Sequence, residues 1–198
     1  MSHTSMRAKK VLITGFDPFG ANLVNPSGEV VEATTANYSH LEVHKLILPT
    51  VFEKSLSILK KGAFFFNPDY IICFGLNEKA TEVNLEVLAH NLNDASIADN
   101  EGNCPMGEAI FEDGPATYDS TLPLGDIEDA LLAAQIPVAI SRDCGRFVCN
   151  HVFYGIRHII EEKKMRAKAG FVHLPSFETM EMAQQVEALE VILAALNH

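Results

Sequence analysis

Nucleophilic acyl transfer uses a thiol or hydroxyl, an imidazole and a carboxylate, and three residues of this chain have those types at places a fold can bring together. Cys149 follows the run Val138-Ala139-Ile140-Ser141 and a loop over 142–148. It heads a stretch in which Val152, Phe153, Ile156, Ile159 and Ile160 recur at helical spacing. At a helix N-terminus the positive dipole end and the unsatisfied amides favour thiolate over thiol, and the same amides can hold an oxyanion. The competing role for Cys149 is that of a small buried hydrophobe, the commonest fate of a free cysteine. A thiol nucleophile needs a base. His173 ends the run Gly170-Phe171-Val172 before Leu174-Pro175, where the C-terminal strand edge of an open α/β sheet faces the ligand crevice. Cys149 and His173 are therefore expected from consecutive strand ends. Of the other histidines, His3 and His198 are terminal, His40 and His44 flank a strand start and His158 has charged helical neighbours, so solvated roles are expected; His90 and His151 fit either role. A carboxylate that orients the imidazole completes such an arrangement. Spacing does not choose among 26 acidic residues, but Glu86 interrupts the apolar run Leu85, Val87, Leu88 and Ala89, and a carboxylate among buried neighbours needs a partner.

The elements that must position these residues alternate. Strands are predicted over 11–14, 43–48, 70–74, 85–89, 138–141 and 170–173, and helices over 28–36, 51–61, 126–134, 150–163 and 179–196. Ser27 is the expected N-cap of the first helix, whose inner face carries Val30, Val31 and Thr34. Alternation of this kind predicts βαβ crossovers and a single-domain three-layer α/β/α sandwich with a mostly parallel, mixed central sheet. Residues 1–8 read as a flexible tail and 9–198 as one catalytic domain. The irregular section 91–122 reads as a long excursion or a short hairpin.

Composition narrows the classes. With 198 residues, 47% apolar and 21% charged, the chain has the material for a buried core and lacks the signature of disorder. A net charge of -11 argues against a surface that tracks phosphates, so no nucleic-acid partner is expected. No apolar run approaches the ~20 residues of a membrane span, and no apolar h-region follows the polar residues 1–10, so no membrane partner and a cytoplasmic location are expected. Cys73, Cys104, Cys144 and Cys149 are then expected as free thiols, and without a CxxC pair or clustered His and Cys no metal site is expected.

Several segments in order resemble the pyroglutamyl peptidase I (pyrrolidone-carboxylate peptidase) cysteine peptidases: Thr14-Gly15-Phe16-Asp17-Pro18-Phe19-Gly20 with Asn25-Pro26-Ser27, Asn84-Leu85-Glu86 continuing to Ala89-His90-Asn91, Asp99-Asn100-Glu101-Gly102, Gly114-Pro115-Ala116 with Ser120-Thr121-Leu122-Pro123, Cys149-Asn150-His151, and Gly170-Phe171-Val172-His173-Leu174-Pro175. The resemblance spans Val11 to about Leu196. It implies release of an N-terminal pyroglutamyl residue from small peptides by a Cys149, His173 and Glu86 triad, with no metal or cofactor, in a cytoplasmic protein that is often a homotetramer. It further implies that Phe16 and Phe19 sandwich the lactam ring and that Asn25 hydrogen-bonds it. On residue type alone, the two phenylalanines fit core packing equally well. A flat uncharged lactam suits an apolar slot, and a slot without a counter-ion disfavours a charged N-terminus.

The chain departs from the family pattern at two points. Glu78-Lys79-Ala80 stands where Pro-Gly-Arg is common, and Ser96 stands where an arginine near the site is usual. Losing a donor near a developing oxyanion costs ~2–4 kcal/mol in the transition state unless it is replaced. Arg142 and Arg146, in a loop that commonly has small or neutral residues, are the candidates to replace it; Cys144 stands there in place of the usual alanine. Alternative functions are an amidohydrolase for another small lactam or N-acyl compound, favoured by Ser96 and Ala80, and a catalytically weak binding protein, against which the intact Cys149, His173 and Glu86 argue.

Overall fold

The structure is a computed structural model that describes residues 7–35, 38 and 40–197. Most of the expected tail, Ala36 at the end of the first predicted helix, His3 and His198 lie outside the described residues. The elements in chain order are β1 (Lys9–Phe16), α1 (Pro26–Ala33), β2 (Leu41–Leu48), α2 (Phe52–Phe66), β3 (Tyr70–Leu76), β4 (Val83–Glu86), β5 (Leu88–His90), β6 (Thr117–Asp119), α3 (Leu124–Ala133), β7 (Val138–Ser141), α4 (Val148–Glu162), β8 (Lys168–Leu174) and α5 (Met182–Ala194).

Alternate side chains of the central strands are apolar on both sides, so both faces of the sheet are covered. Val11, Ile13, Ile72, Phe74, Val172 and Leu174 pack with Val30 and Val31 of α1, Ile127 and Leu131 of α3 and Leu189 and Ile192 of α5. Leu12, Ile71, Cys73 and Phe171 point the other way, onto Leu59 of α2 and Val152, Phe153 and Ile156 of α4. The result is the expected three-layer α/β/α sandwich. Its sheet has the order β2-β1-β3-β8-β4-β7, while β5 and β6 form a separate two-stranded pair. The first four strands in that order are mutually parallel; β4 runs antiparallel to β8 and parallel to β7. This reversal corrects the expectation of consecutive strand ends. Ser141 at the end of β7 is level with Glu86, which pairs with Phe171 in the middle of β8, so residues 142–147 must carry the chain back toward the C-terminal edge of β8.

Other expectations need correction. The apolar run over 85–89 is two strands in two sheets, broken at Val87, whose N–H donates to Ser141 O and whose carbonyl accepts from Ser120 N–H. Asn25, not Ser27, caps α1: its Oδ1 accepts from both Ser27 N–H (3.1 Å) and Ser27 Oγ (2.8 Å), and Pro26 follows at the first helical position. The stretch after β8 reaches Met182 before its helix begins. Section 91–116 is an excursion between β5 and β6, whose antiparallel pairing runs from Leu88 and Asp119 to His90 and Thr117.

Where β1 ends, the chain is tied to α1. Phe16 N–H donates to Ser27 Oγ (3.1 Å), and Asn25 Nδ2 donates to Asp17 O (3.0 Å). Gly15 allows this approach, since a Cβ there would overlap the Ser27 carbonyl oxygen and lie 2.6 Å from its carbon. Both of those atoms belong to backbone, which has little freedom to move away. Gly15→Ala is expected to destabilise the chain by about 1–3 kcal/mol, as overpacking does, read as a lower urea midpoint with an unchanged m-value.

Candidate active site

Glu86 has no exposed surface and His173 is 5% exposed. Because Glu86 is paired with Phe171, and Asn84 with His173, the Glu86 and His173 side chains lie diagonally on one face of the β4/β8 seam. His173 Nδ1 and Glu86 Oε1 are 2.7 Å apart. That face is the one α4 covers. Phe147 is the α4 N-cap and no side chain among the described residues caps this end, so the amides of Val148, Cys149 and Asn150 lack carbonyl partners within the helix. Cys149 is thus the second helical residue, partly exposed, at an end suited to a thiolate and an oxyanion. Its Sγ lies over the end of β3, where a Cβ on Gly75 would sit 2.7 Å from it.

The Cys149 side chain is the second neighbour that acts on the imidazole. Burial alone would lower the imidazole pKa, but the hydrogen bonds to Cys149 and Glu86, together with their charges, raise it from 6.5 to about 9. At neutral pH His173 is therefore the cation, with both ring nitrogens donating.

The cavity in front of this group has a volume of about 550 Å³ and is lined by Cys149, His173, Phe16, Phe19 and Asn25 among others. The cavity brings together five of the six residues singled out from the sequence; Glu86 stands behind His173. Phe16 is 2% exposed and packs on Phe171 at a centroid distance of 6.4 Å, whereas Phe19 packs on Phe147 at 5.6 Å. Ser96 and Arg146 line the cavity, while Ala80 is buried. Arg142 is exposed.

Further positioning residues escaped the sequence reading. Asn150 clamps the first turn of α4 to β5 and the residues after it: its Oδ1 accepts from His90 N–H (2.9 Å), and its Nδ2 donates to His90 O (2.9 Å) and Leu92 O (3.0 Å). The available signal was a polar side chain beside Cys149 in the first turn. Asp99 holds the excursion onto the head of α2, its carboxylate accepting from Phe52 N–H at 3.0 Å. Burial pushes Asp99 up, but donors from Asn103, Phe52 and Glu101 hold its pKa below the ordinary 3.8.

The open histidines resolve as structural. His151 is fully buried, with Nδ1 3.2 Å from Asn93 Oδ1, and burial lowers its pKa to about 4. His90 is half-buried on β5 and does not line the cavity. Two histidines expected to be solvated are instead partly covered by rings: His44 stacks on Phe66 and His158 on Phe111, each at 4.0 Å. Cys73, Cys144 and Cys149 are free thiols, as is the exposed Cys104. Burial raises Cys73 to about 12, which leaves it inert.

An α/β/α sheet that brings a helix-terminal thiol to a buried His–Glu pair defines a cysteine hydrolase of the α/β class. Comparison with known proteins makes this specific. The pyroglutamyl peptidase family profile matches residues 9–197, and the chain belongs to that family of cysteine peptidases. A pyrrolidone-carboxylate peptidase of Bacillus cereus is 45% identical over 170 residues, covering 84% of this chain and 78% of the relative. One from Fusobacterium nucleatum is 43% identical over 167 residues, with the same coverage. The crystal structure of pyroglutamyl peptidase I from Bacillus amyloliquefaciens superposes with a TM-score of 0.91 at 38% identity, covering 96% of each chain. A mutant pyrrolidone carboxyl peptidase of Pyrococcus furiosus gives 0.90 at 31% identity, covering 94% of this chain and 97% of the other.

The raised His173 pKa has a thermodynamic counterpart. The folded chain holds this proton more tightly than the unfolded chain does, so the contribution to stability is fully present below pH 6.5 and is lost as pH rises through about 9. Glu86→Gln removes one of the groups that raise it. The expected result is a flatter fall of urea midpoint between those two pH values than in the parent chain.

Proposed function

We propose that this chain releases an N-terminal pyroglutamyl residue from small peptides. The observation that carries the reading is the placement of Cys149 and His173 on the wall of the same cavity as Phe16 and Phe19, with Glu86 buried behind the imidazole. Cys149 sulfur attacks the carbonyl that joins pyroglutamate to the next residue, and the first-turn amides of α4 face the developing oxyanion. His173 gives its Nε2 proton to the leaving amine. It then takes a proton from the water that hydrolyses the acyl-enzyme. Glu86 fixes the ring through Nδ1 and stabilises its cation.

Phe16 and Phe19 supply flat apolar surface for the lactam. Asn25 is the proposed polar contact, made with whatever donor capacity remains beyond its cap of α1 and its bond to Asp17 O. Arg146 is the proposed replacement for the family arginine at Ser96, because it lines the cavity and is held by Asp143 Oδ1 at 2.8 Å. The reading also makes residues from 9 onward one catalytic unit of a cytoplasmic protein. Homo-oligomerisation, a tetramer by resemblance, would cover exposed apolar side chains such as Phe65 and Leu23. Among the described residues no helix is long and apolar enough to cross a membrane.

Hydrolysis of pyroglutamyl-aminocoumarin under reducing conditions tests the reading. Turnover is expected from the parent chain, with a fall on the order of 10⁶ in Cys149→Ala. A folded parent chain without turnover would sink the proposal and direct attention to other lactams and N-acyl amides, the reading that Ser96 on the cavity wall favours. Arg146→Ala is expected to lower kcat by ~10²–10³. Unchanged turnover in that variant would leave Arg146 as a solvated side chain.

A further inference from the structure

Beside the Glu86 and His173 pair lies a thiol that acyl transfer does not use. Cys144, in the loop between β7 and α4, is 4% exposed. Its Sγ, a Glu86 carboxylate oxygen and a His173 ring nitrogen all lie within 4.8 Å of one another. Glu86 Oε1 is engaged with His173, but Oε2 is buried and accepts no hydrogen bond among the described residues. A carboxylate oxygen that has lost water without gaining a donor is costly, and a cation beside it would offset that cost. The Cys144 thiol is buried beside that oxygen, and a metal ion is a strong competitor for a thiol proton.

Thiolate, imidazole and carboxylate are together the ligand types of zinc and its softer relatives. Around a tetrahedral ion of that kind the ligand atoms stand roughly 3–4 Å apart, so a group already within reach closes on the ion by side-chain shifts of about an ångström. The ligands come from β4, β8 and a loop, which is why no spacing in the sequence marked them. Cys144 and His173 both line the active-site cavity, and that gives an ion a path of entry.

We propose that Glu86, Cys144 and His173 form an inhibitory site for a thiophilic divalent cation such as Zn²⁺, with water from the cavity in the fourth position. On binding, the Cys144 S–H proton and the His173 Nδ1 proton leave to solvent. The product is a thiolate, a neutral imidazole bound through Nδ1 and a carboxylate bound through oxygen, so two negative ligands balance the ion's charge. The ion takes the orienting acid and the base at once and leaves Cys149 without its proton acceptor. The site goes beyond the proposed peptidase activity; only its inhibitory effect rests on that reading.

Co²⁺ is the probe, because cobalt thiolates absorb in the near ultraviolet, and the chain is reduced with a phosphine in place of a thiol. In Cys149→Ser, which removes the nucleophile as a competing ligand, one equivalent of Co²⁺ is expected to bind with a thiolate-to-cobalt band. Adding Cys144→Ala removes the band, and adding Glu86→Gln weakens binding by about tenfold or more. Cys144→Ser, closer in shape, must also lose the band and guards against misfolding of the alanine variant. With Cys149 intact, Zn²⁺ inhibits hydrolysis, and Cys144→Ala raises the half-inhibitory concentration at least about tenfold relative to its own metal-free rate. No band in Cys149→Ser, or a band that survives loss of Cys144, overturns the proposal. Absence of metal-free turnover in the parent chain sinks the peptidase reading alone, because the cobalt band is read without substrate.

Discussion

A carboxylate with no exposed surface sits in the central sheet, and the arrangement of the site follows from the need to partner it. Glu86 stands on the seam where the sheet reverses polarity, and the antiparallel register with β8 places His173 diagonally beside it, with Nδ1 2.7 Å from Oε1. Removing one partner of a buried pair typically costs about 3–5 kcal/mol, since the remaining charge has neither water nor counter-ion. The imidazole in turn keeps its proton because Cys149 and Glu86 flank it, in spite of the burial that opposes the charge. Structure and chemistry therefore share one interaction: the contact that makes Glu86 tolerable in the core also aims His173 at the nucleophile.

The nucleophile is placed by different means. Residues 142–147 bring the chain back from β7, and α4 begins without a side-chain cap, so its free amides remain for chemistry. What would otherwise fray is fixed from below by Asn150, which makes three hydrogen bonds to the backbone of His90 and Leu92. Phe147, at the N-cap, meets the ring of Phe52 at 5.3 Å and joins the head of α4 to that of α2. The head of α4 brings Phe147, Val148 and Cys149 to the cavity, opposite the aromatic side chains Phe16 and Phe19 from β1 and its loop.

Much of this was legible in the sequence because strand burial writes itself as uninterrupted apolar runs. Val11-Leu12-Ile13-Thr14 and Gly170-Phe171-Val172-His173 mark parallel strands covered on both faces, and Glu86 stood out as a charge inside such a run. Strand direction was not legible: β4 is largely buried, as the parallel strands are, and nothing in Val83-Asn84-Leu85 tells which way it runs. The same continuity hid the break at Val87, where the chain leaves one sheet for another without a glycine or proline to mark it. Asn25 and Ser27 both had capping side chains; Pro26 at the first helical position was the sign that favoured Asn25. Section 91–116 has no periodicity to read because side chains such as Asn91, Asp94 and Asp99 hold it to backbone amides in place of a ladder.

The two halves of the machinery differ in how they are anchored. Glu86 and His173 belong to strands inside the ladder, which parts only with the sheet itself, whereas Cys149 depends on a loop and one turn of helix held by side-chain contacts of Asn150 and Phe147. Catalytic competence and the fold therefore rest on different contacts: a substitution confined to the head of α4 would misplace the thiol, while the pairing of the strands that carry Glu86 and His173 does not depend on that turn.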